Sequence, residues 1–281
     1  MSNRTAADKA LEMTPGSIYS HGCLNLTRLG GGECDEDLEA ADWMCDGDGR
    51  ITAGALVLLA DSATGWAVST VLPAGTTVVT AQLSVQFLRR LEPGERRFAA
   101  RTRVAHVDPD VSFTRADVLG TSGELVAMAT MLGAHVALPA DPIGSGAADG
   151  ALPDGGAMVG SDIDDALGTR LASSHPAGAS VEVSALSSLA NLTGAVHGGV
   201  LSMMVERAIV AALRGVEDDG RLRPLEFDIT YHRRIEADGS RIVADADVVE
   251  QTRRLVRTVS VVRGVDGRPA AVVRAVHTRP R

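Results

Sequence analysis

The chain repeats itself at a fixed distance, and this constrains its fold more than any other feature of the sequence. Gly49 to Val71 (GRITAGALVLLADSATGWAVSTV) and Gly194 to Val216 (GAVHGGVLSMMVERAIVAALRGV) are both apolar runs that begin at small residues and carry one carboxylate at the same place, Asp61 or Glu206, about 145 residues apart. Downstream, Leu83 to Gly94 (LSVQFLRRLEPG) matches Phe227 to Gly239, and Ser122 to Leu132 matches Asp266 to Val276, at an offset of about 144. A register held over so much chain points to two structural repeats. Between them, Pro139 to Gly160 is rich in Gly, Ala, Pro and Asp and has no sustained apolar period, which reads as a flexible linker. The expected organisation is a first domain over 1–138, a linker over 139–160 and a second domain over 161–281.

Within each repeat the elements come in the same order. Ala53 to Val71 and Gly198 to Arg214 are too long and too apolar for strands and contain good helix formers, so each is expected as a buried helix. Four stretches of strand character follow each one, at about 76–91, 97–107, 111–119 and 124–136, and at about 224–236, 240–250, 254–264 and 269–279. Turn signals such as Glu92-Pro93-Gly94 and Ala237-Asp238-Gly239 separate some of them. The expected class is α+β, with each repeat a helix wrapped by a curved antiparallel sheet.

Composition closes off other classes. A net charge of −9 disfavours a nucleic-acid partner, which needs clustered positive charge. No window approaches the roughly 18 to 20 unbroken apolar residues of a membrane span, and Met1 to Ala10 lacks the pattern of a secretory signal, so a cytoplasmic location is expected. Cys23, Cys34 and Cys45 form neither a Cys-x-x-Cys pair nor a group with a His pair, so ordinary thiols are expected, with no metal site.

Asn191 and His197-Gly198-Gly199 form an Asn-x5-His-Gly-Gly pattern at the head of the second helix. With the strands that follow, it resembles the hot dog thioesterases of the phenylacetate-pathway and THEM2-like group. The resemblance implies two tandem hot dog domains paired as an intramolecular pseudo-dimer, with acyl-CoA thioesterase activity. Thioester hydrolysis needs a group to polarise the carbonyl, and a helix N-terminus with glycines that admit close approach can supply it. It also needs a carboxylate. Gly198 and Glu206 lie eight residues apart, about 12 Å along a helix axis at 1.5 Å per residue, beyond the reach of one side chain.

Family hot dogs set the glycine of one copy against the acid of the other, so the resemblance implies crossed sites. One joins Asn191, His197, Gly198 and Gly199 to Asp61, with Thr80 where family members carry a hydroxyl. Asp61 would be general base or nucleophile, Asn191 would orient the water or acyl oxygen, His197 would position the thioester, and Thr80 would hold Asp61 or the water. The opposite site joins Asp46, Thr52, Ala53 and Gly54 to Glu206 and Pro224, lacks most of these parts and is expected to be degenerate.

Arg89-Arg90 and Arg233-Arg234, at matching places late in a strand, are candidates to contact the phosphates of coenzyme A. Met203, Met204 and Trp66 read as core. No cofactor is expected beyond the coenzyme A carried by the substrate, and the double unit could pair as a homodimer. The alternative reading is a non-catalytic acyl-CoA-binding or regulatory hot dog protein.

Overall fold

The computed structural model describes residues 23–137, 160–191, 193–216 and 222–279. The expected linker therefore lies, apart from Gly160, outside the described residues. The first copy contains β1 (Leu24–Gly30), β2 (Glu33–Glu39), the long helix α1 (Ala53–Ser69), β3 (Thr76–Phe87), β4 (Arg97–Val107), β5 (Val111–Leu119) and β6 (Leu125–Ala137). The second contains a short helix α2 (Ile163–Leu167), β7 (Arg170–His175), β8 (Gly178–Ser184), the long helix α3 (Gly198–Arg214), β9 (Arg223–Tyr231), β10 (Arg241–Gln251), β11 (Leu255–Arg263) and β12 (Pro269–Thr278). Both long helices start at the expected residues. Each repeat has six strands where four were expected: a hairpin precedes each helix.

All twelve strands join one antiparallel sheet in the order β1-β2-β4-β5-β6-β3-β9-β12-β11-β10-β8-β7. The order of the second half is the first read backwards, so the copies are related by a pseudo-twofold axis. That axis passes through the β3–β9 seam, where Ser84 pairs with Asp228, flanked by Gln82 with Thr230 and Gln86 with Glu226.

The long helices lie inside this sheet because most of their surface is apolar. Fifteen residues of α1 are buried, including Leu56, Leu58, Leu59 and Trp66. A helix apolar on all sides belongs in a core, and its buried hydroxyls are satisfied: Thr64 Oγ1 donates to the Ala60 carbonyl at 2.7 Å and Ser62 Oγ to Glu36 Oε1 at 3.0 Å. The helices also pack on each other. A Cβ on Gly199 would stand 2.7 Å from Leu58 Cα, and one on Gly54 would stand 2.7 Å from Met203 Cα. Leu58 and Met203 are repeat equivalents, so glycine allows the same close approach at both symmetric crossings. Met203, Met204 and Trp66 are core residues, and the three cysteines are buried without a disulfide. Among the described residues no helix is long and apolar enough to cross a membrane.

Candidate active site

At the first crossing Asp61 reaches from α1 to the head of α3. It is 6% exposed. Thr80 Oγ1 donates to Asp61 Oδ1 at 2.8 Å, which fixes one carboxylate oxygen and turns Oδ2 toward the helix start. Strict alternation would aim Thr80 at the outer face, because Leu83, Val85 and Phe87 point inward. A bulge between Thr80 and Gln82 shifts the register and brings Thr80 inside. The same irregularity recurs between Glu226 and Pro224, so the bulge belongs to the repeat while the hydroxyl belongs to one copy.

Asp61 Oδ2 lies 3.5 Å from His197 Nδ1 and would be 2.9 Å from a Cβ on Gly198. His197 is the N-cap of α3: its Nδ1 accepts the Gly199 N–H at 3.0 Å. The neutral ring therefore carries its proton on Nε2, and the approach of Asp61 to Nδ1 becomes an ion pair only if the ring protonates. Burial lowers the His197 pKa, against the opposing pull of Asp61, and this favours the neutral cap.

Asn191 has an earlier duty in the loop. Its Oδ1 accepts from Thr193 N at 2.9 Å, Thr193 Oγ1 at 2.8 Å and Ala195 N at 3.2 Å. Asp46 holds the matching loop of the first copy, accepting from Asp48 N and Arg50 N, each at 3.0 Å. The oxygen of Asn191 is thus committed to a turn common to both repeats, and any role toward water or an acyl oxygen falls to its Nδ2.

The second crossing has the same frame and a different content. Glu206 Oε1 accepts the Ala53 N–H and Oε2 the Gly54 N–H, both at 2.7 Å. The Thr52 hydroxyl, N-cap of α1, also bonds to this carboxylate. Burial raises the Glu206 pKa, while Arg207 and these donors pull it down. The longer glutamate thus occupies the anion-binding end of its partner helix. Asp61 is one methylene shorter. Among the described residues no hydrogen bond joins it to the N–H of Gly198 or Gly199; His197 takes the Gly199 N–H, and no carboxylate closes the Gly198 position as Glu206 closes that of Ala53.

A cavity of about 330 Å3 opens at the Glu206 crossing, between Arg50, Thr52, Arg90, Arg223, Pro224 and His277 among others. Its size does not make it the better reaction centre, because the helix N-terminus beneath it is already capped by a carboxylate.

A family model described as the acyl-CoA thioesterase C-terminal domain matches residues 14–134, and one described as the thioesterase superfamily matches residues 193–271. Each half of this tandem hot dog chain is thus similar to a thioesterase family. Solved structures share the tandem hot dog fold across nearly the whole chain. A Lactobacillus plantarum protein assigned as an oleoyl thioesterase superposes with a TM-score of 0.63 at 14% identity, covering 95% of this chain and 100% of its own. An acyl-CoA thioesterase II from Mycobacterium marinum gives 0.61 at 12% identity, covering 92% and 95%. An acyl-ACP thioesterase from Bacteroides thetaiotaomicron gives 0.58 at 15%, covering 88% and 98%. No curated protein matches the chain in sequence.

The arginine pairs of this tandem hot dog protein lie beyond the ends of β3 and β9, not late within them as expected, because both strands stop at the aromatic residue before the turn. Arg89 is engaged by Glu95 and Glu124. Arg234 lies 2.6 Å from Glu236, and Arg233 lies 3.8 Å from Asp266. Three of the four candidate phosphate contacts therefore already face carboxylates, and Arg90 lines the cavity at Glu206.

Two polar residues near Gly198 escaped the sequence reading. Ser202 Oγ donates to the Gly198 carbonyl at 3.2 Å and lies 3.2 Å from the Tyr231 hydroxyl. Their signal was present in the repeat alignment: the equivalents in the first copy are Val57 and Phe87.

Proposed function

We propose that this thioester hydrolase cleaves an acyl-CoA at one composite site, built from Asp61 and Thr80 of the first copy and Asn191, His197, Gly198 and Gly199 of the second. The observation that carries the reading is the contrast between the crossings: glutamate closes one helix N-terminus, and aspartate stops short of the other. A thioester carbonyl placed at the α3 start meets the Gly198 N–H and the positive end of the helix dipole. Thr80 holds Asp61 Oδ1, leaving Oδ2 to take a proton from water as the water oxygen bonds to the thioester carbon. The carbon–sulfur bond then breaks, and the departing thiolate recovers the proton from Asp61. His197 keeps the first turn of α3 in place, and Asn191 fixes the loop that presents His197. The scheme uses water and the protein's own groups, with coenzyme A entering as part of the substrate.

In this reading the domains are 1–138 and 161–281, and the linker over 139–160 keeps the two halves of one site in a single chain. The likeness of residues 14–134 to an acyl-CoA thioesterase domain supports an acyl-CoA over other thioesters. Incubation with a panel of acyl-CoAs and a thiol-detecting reagent tests the proposal. Saturable thiol release is expected, and saturable binding of every acyl-CoA without release would instead support a non-catalytic acyl-CoA binder.

A further inference from the structure

The β3–β9 seam runs beneath both helix crossings, and its two ends carry different chemistry. Under the Asp61 crossing stand Thr80 from β3 and Tyr231 from β9. Under the Glu206 crossing the equivalents are Pro224 and Phe87. The helix residues above them change in step: Ser202 of α3 lies against the Tyr231 hydroxyl, while its equivalent Val57 is a buried apolar residue of α1. A tyrosine–serine pair thus exists only at the end where the aspartate leaves the helix start open.

The position of that hydroxyl is specific. Measured from a Cβ built on Gly198, the Tyr231 hydroxyl is 3.0 Å away and Asp61 Oδ2 is 2.9 Å away. Both oxygens converge on the face of Gly198 that a side chain would cover, within the span that one small polar group can bridge by two hydrogen bonds. Ser202 Oγ is 3.2 Å from both the Gly198 carbonyl and the Tyr231 hydroxyl, so its one proton can turn to the Tyr231 oxygen and leave the Tyr231 proton to point into the gap.

We propose that Tyr231 is a further catalytic residue of this site, its hydroxyl donating a hydrogen bond to the thioester oxygen opposite Asp61. The inference rests on the hydrolase reading above. In the step concerned, water gives its proton to Asp61 and its oxygen bonds to the carbonyl carbon, while the carbonyl π pair moves onto oxygen and is met by the Tyr231 O–H and the Gly198 N–H. The electron pair returns as the carbon–sulfur bond breaks, and the thiolate leaves to be protonated from Asp61. Tyr231 keeps its proton throughout. Burial and the neighbouring Asp61 charge hold its pKa well above the usual phenol value, which suits a hydrogen-bond donor rather than an acid.

Three variants test this with an acyl-CoA that the parent hydrolyses: Tyr231→Phe, the double variant Tyr231→Phe with Ser202→Val, and Asp61→Asn. The double variant recreates the Phe87–Val57 pair of the other crossing and so repairs the packing without restoring a donor. Loss of one donor to a developing oxyanion should lower kcat on the order of 100-fold at little changed KM. Both Tyr231 variants should show that loss, and the double variant should keep the parent Tm. A Tyr231→Phe enzyme within twofold of parent kcat, alongside an inactive Asp61→Asn, overturns the role of Tyr231 and leaves the hydrolase reading standing. Recovery of kcat in the double variant overturns it too, by showing that packing was the whole effect. An active Asp61→Asn removes the underlying reading, and this proposal with it.

Discussion

Replacing Glu206 by glutamine separates a structural carboxylate from a working one. Each oxygen of Glu206 accepts one backbone N–H at 2.7 Å, from Ala53 and Gly54 at the start of α1. Glutamine keeps one acceptor and must turn its NH2 group toward the other N–H. One N–H of the helix start is then left unpaired, at a cost of about 1–3 kcal/mol, and the surviving bond weakens by about 1 kcal/mol when its acceptor loses its charge. Relief of the carboxylate's burial works the other way, since that burial is what raises the Glu206 pKa. The net expectation is a loss of about 1–3 kcal/mol, or several degrees in Tm for a chain of this size. Urea unfolding and a thermal melt measure the stability change, and acyl-CoA turnover is read in parallel. Lower stability with turnover within about twofold of parent is expected. A variant as stable as the parent but without turnover would refute it, because Glu206 would then be acting on substrate.

Two further outcomes follow from the same geometry. Gly199→Ala places a methyl 2.7 Å from the Leu58 backbone and forces the helices apart, so it should lower stability by about 1–3 kcal/mol and reduce turnover as Asp61 retreats from the α3 start; a thermal melt and a turnover assay check both. Glu36, buried on β2 and hydrogen-bonded by Ser62, has its pKa raised by that burial from 4.5 to about 8. Between those values the folded chain holds a proton that the unfolded chain has released, so stability should fall as pH rises, by up to about 1.4 kcal/mol per pH unit. Urea titrations across pH 4.5 to 8 should show that slope in the parent and a flatter one in Glu36→Gln; equal slopes would contradict the assignment.

The parts of the fold legible in the sequence were those whose burial leaves a continuous pattern. The helix α1 is apolar on nearly every side, α3 is apolar over most of its length, and eight strands alternate cleanly enough to place to within a few residues. The hairpins before the helices were not legible, for two physical reasons. β7 is exposed along its whole length, and β2 buries Glu36 between Cys34 and Leu38, so a charged residue sits where an apolar one would announce a strand. At the site, Asp61 stood out as a lone carboxylate in an apolar helix. The inward turn of Thr80 depends on a bulge that no alternation rule signals. The capping of α1 by Glu206 joins residues 153 apart, and its consequence depends on one methylene. Tyr231 and Ser202 look like ordinary strand and helix residues until each is set against its apolar equivalent in the other repeat.

Turnover of Asp61→Asn on an acyl-CoA that the parent hydrolyses tests the shared site most directly, since that residue belongs to one copy and the helix start it faces belongs to the other. Asparagine keeps the shape and can still accept from Thr80, but it cannot take a proton from water at neutral pH. The expected result is a parent-like melting curve with kcat reduced by at least about 100-fold, the scale of one lost general base. A folded Asp61→Asn protein with parent-like kcat would contradict the account.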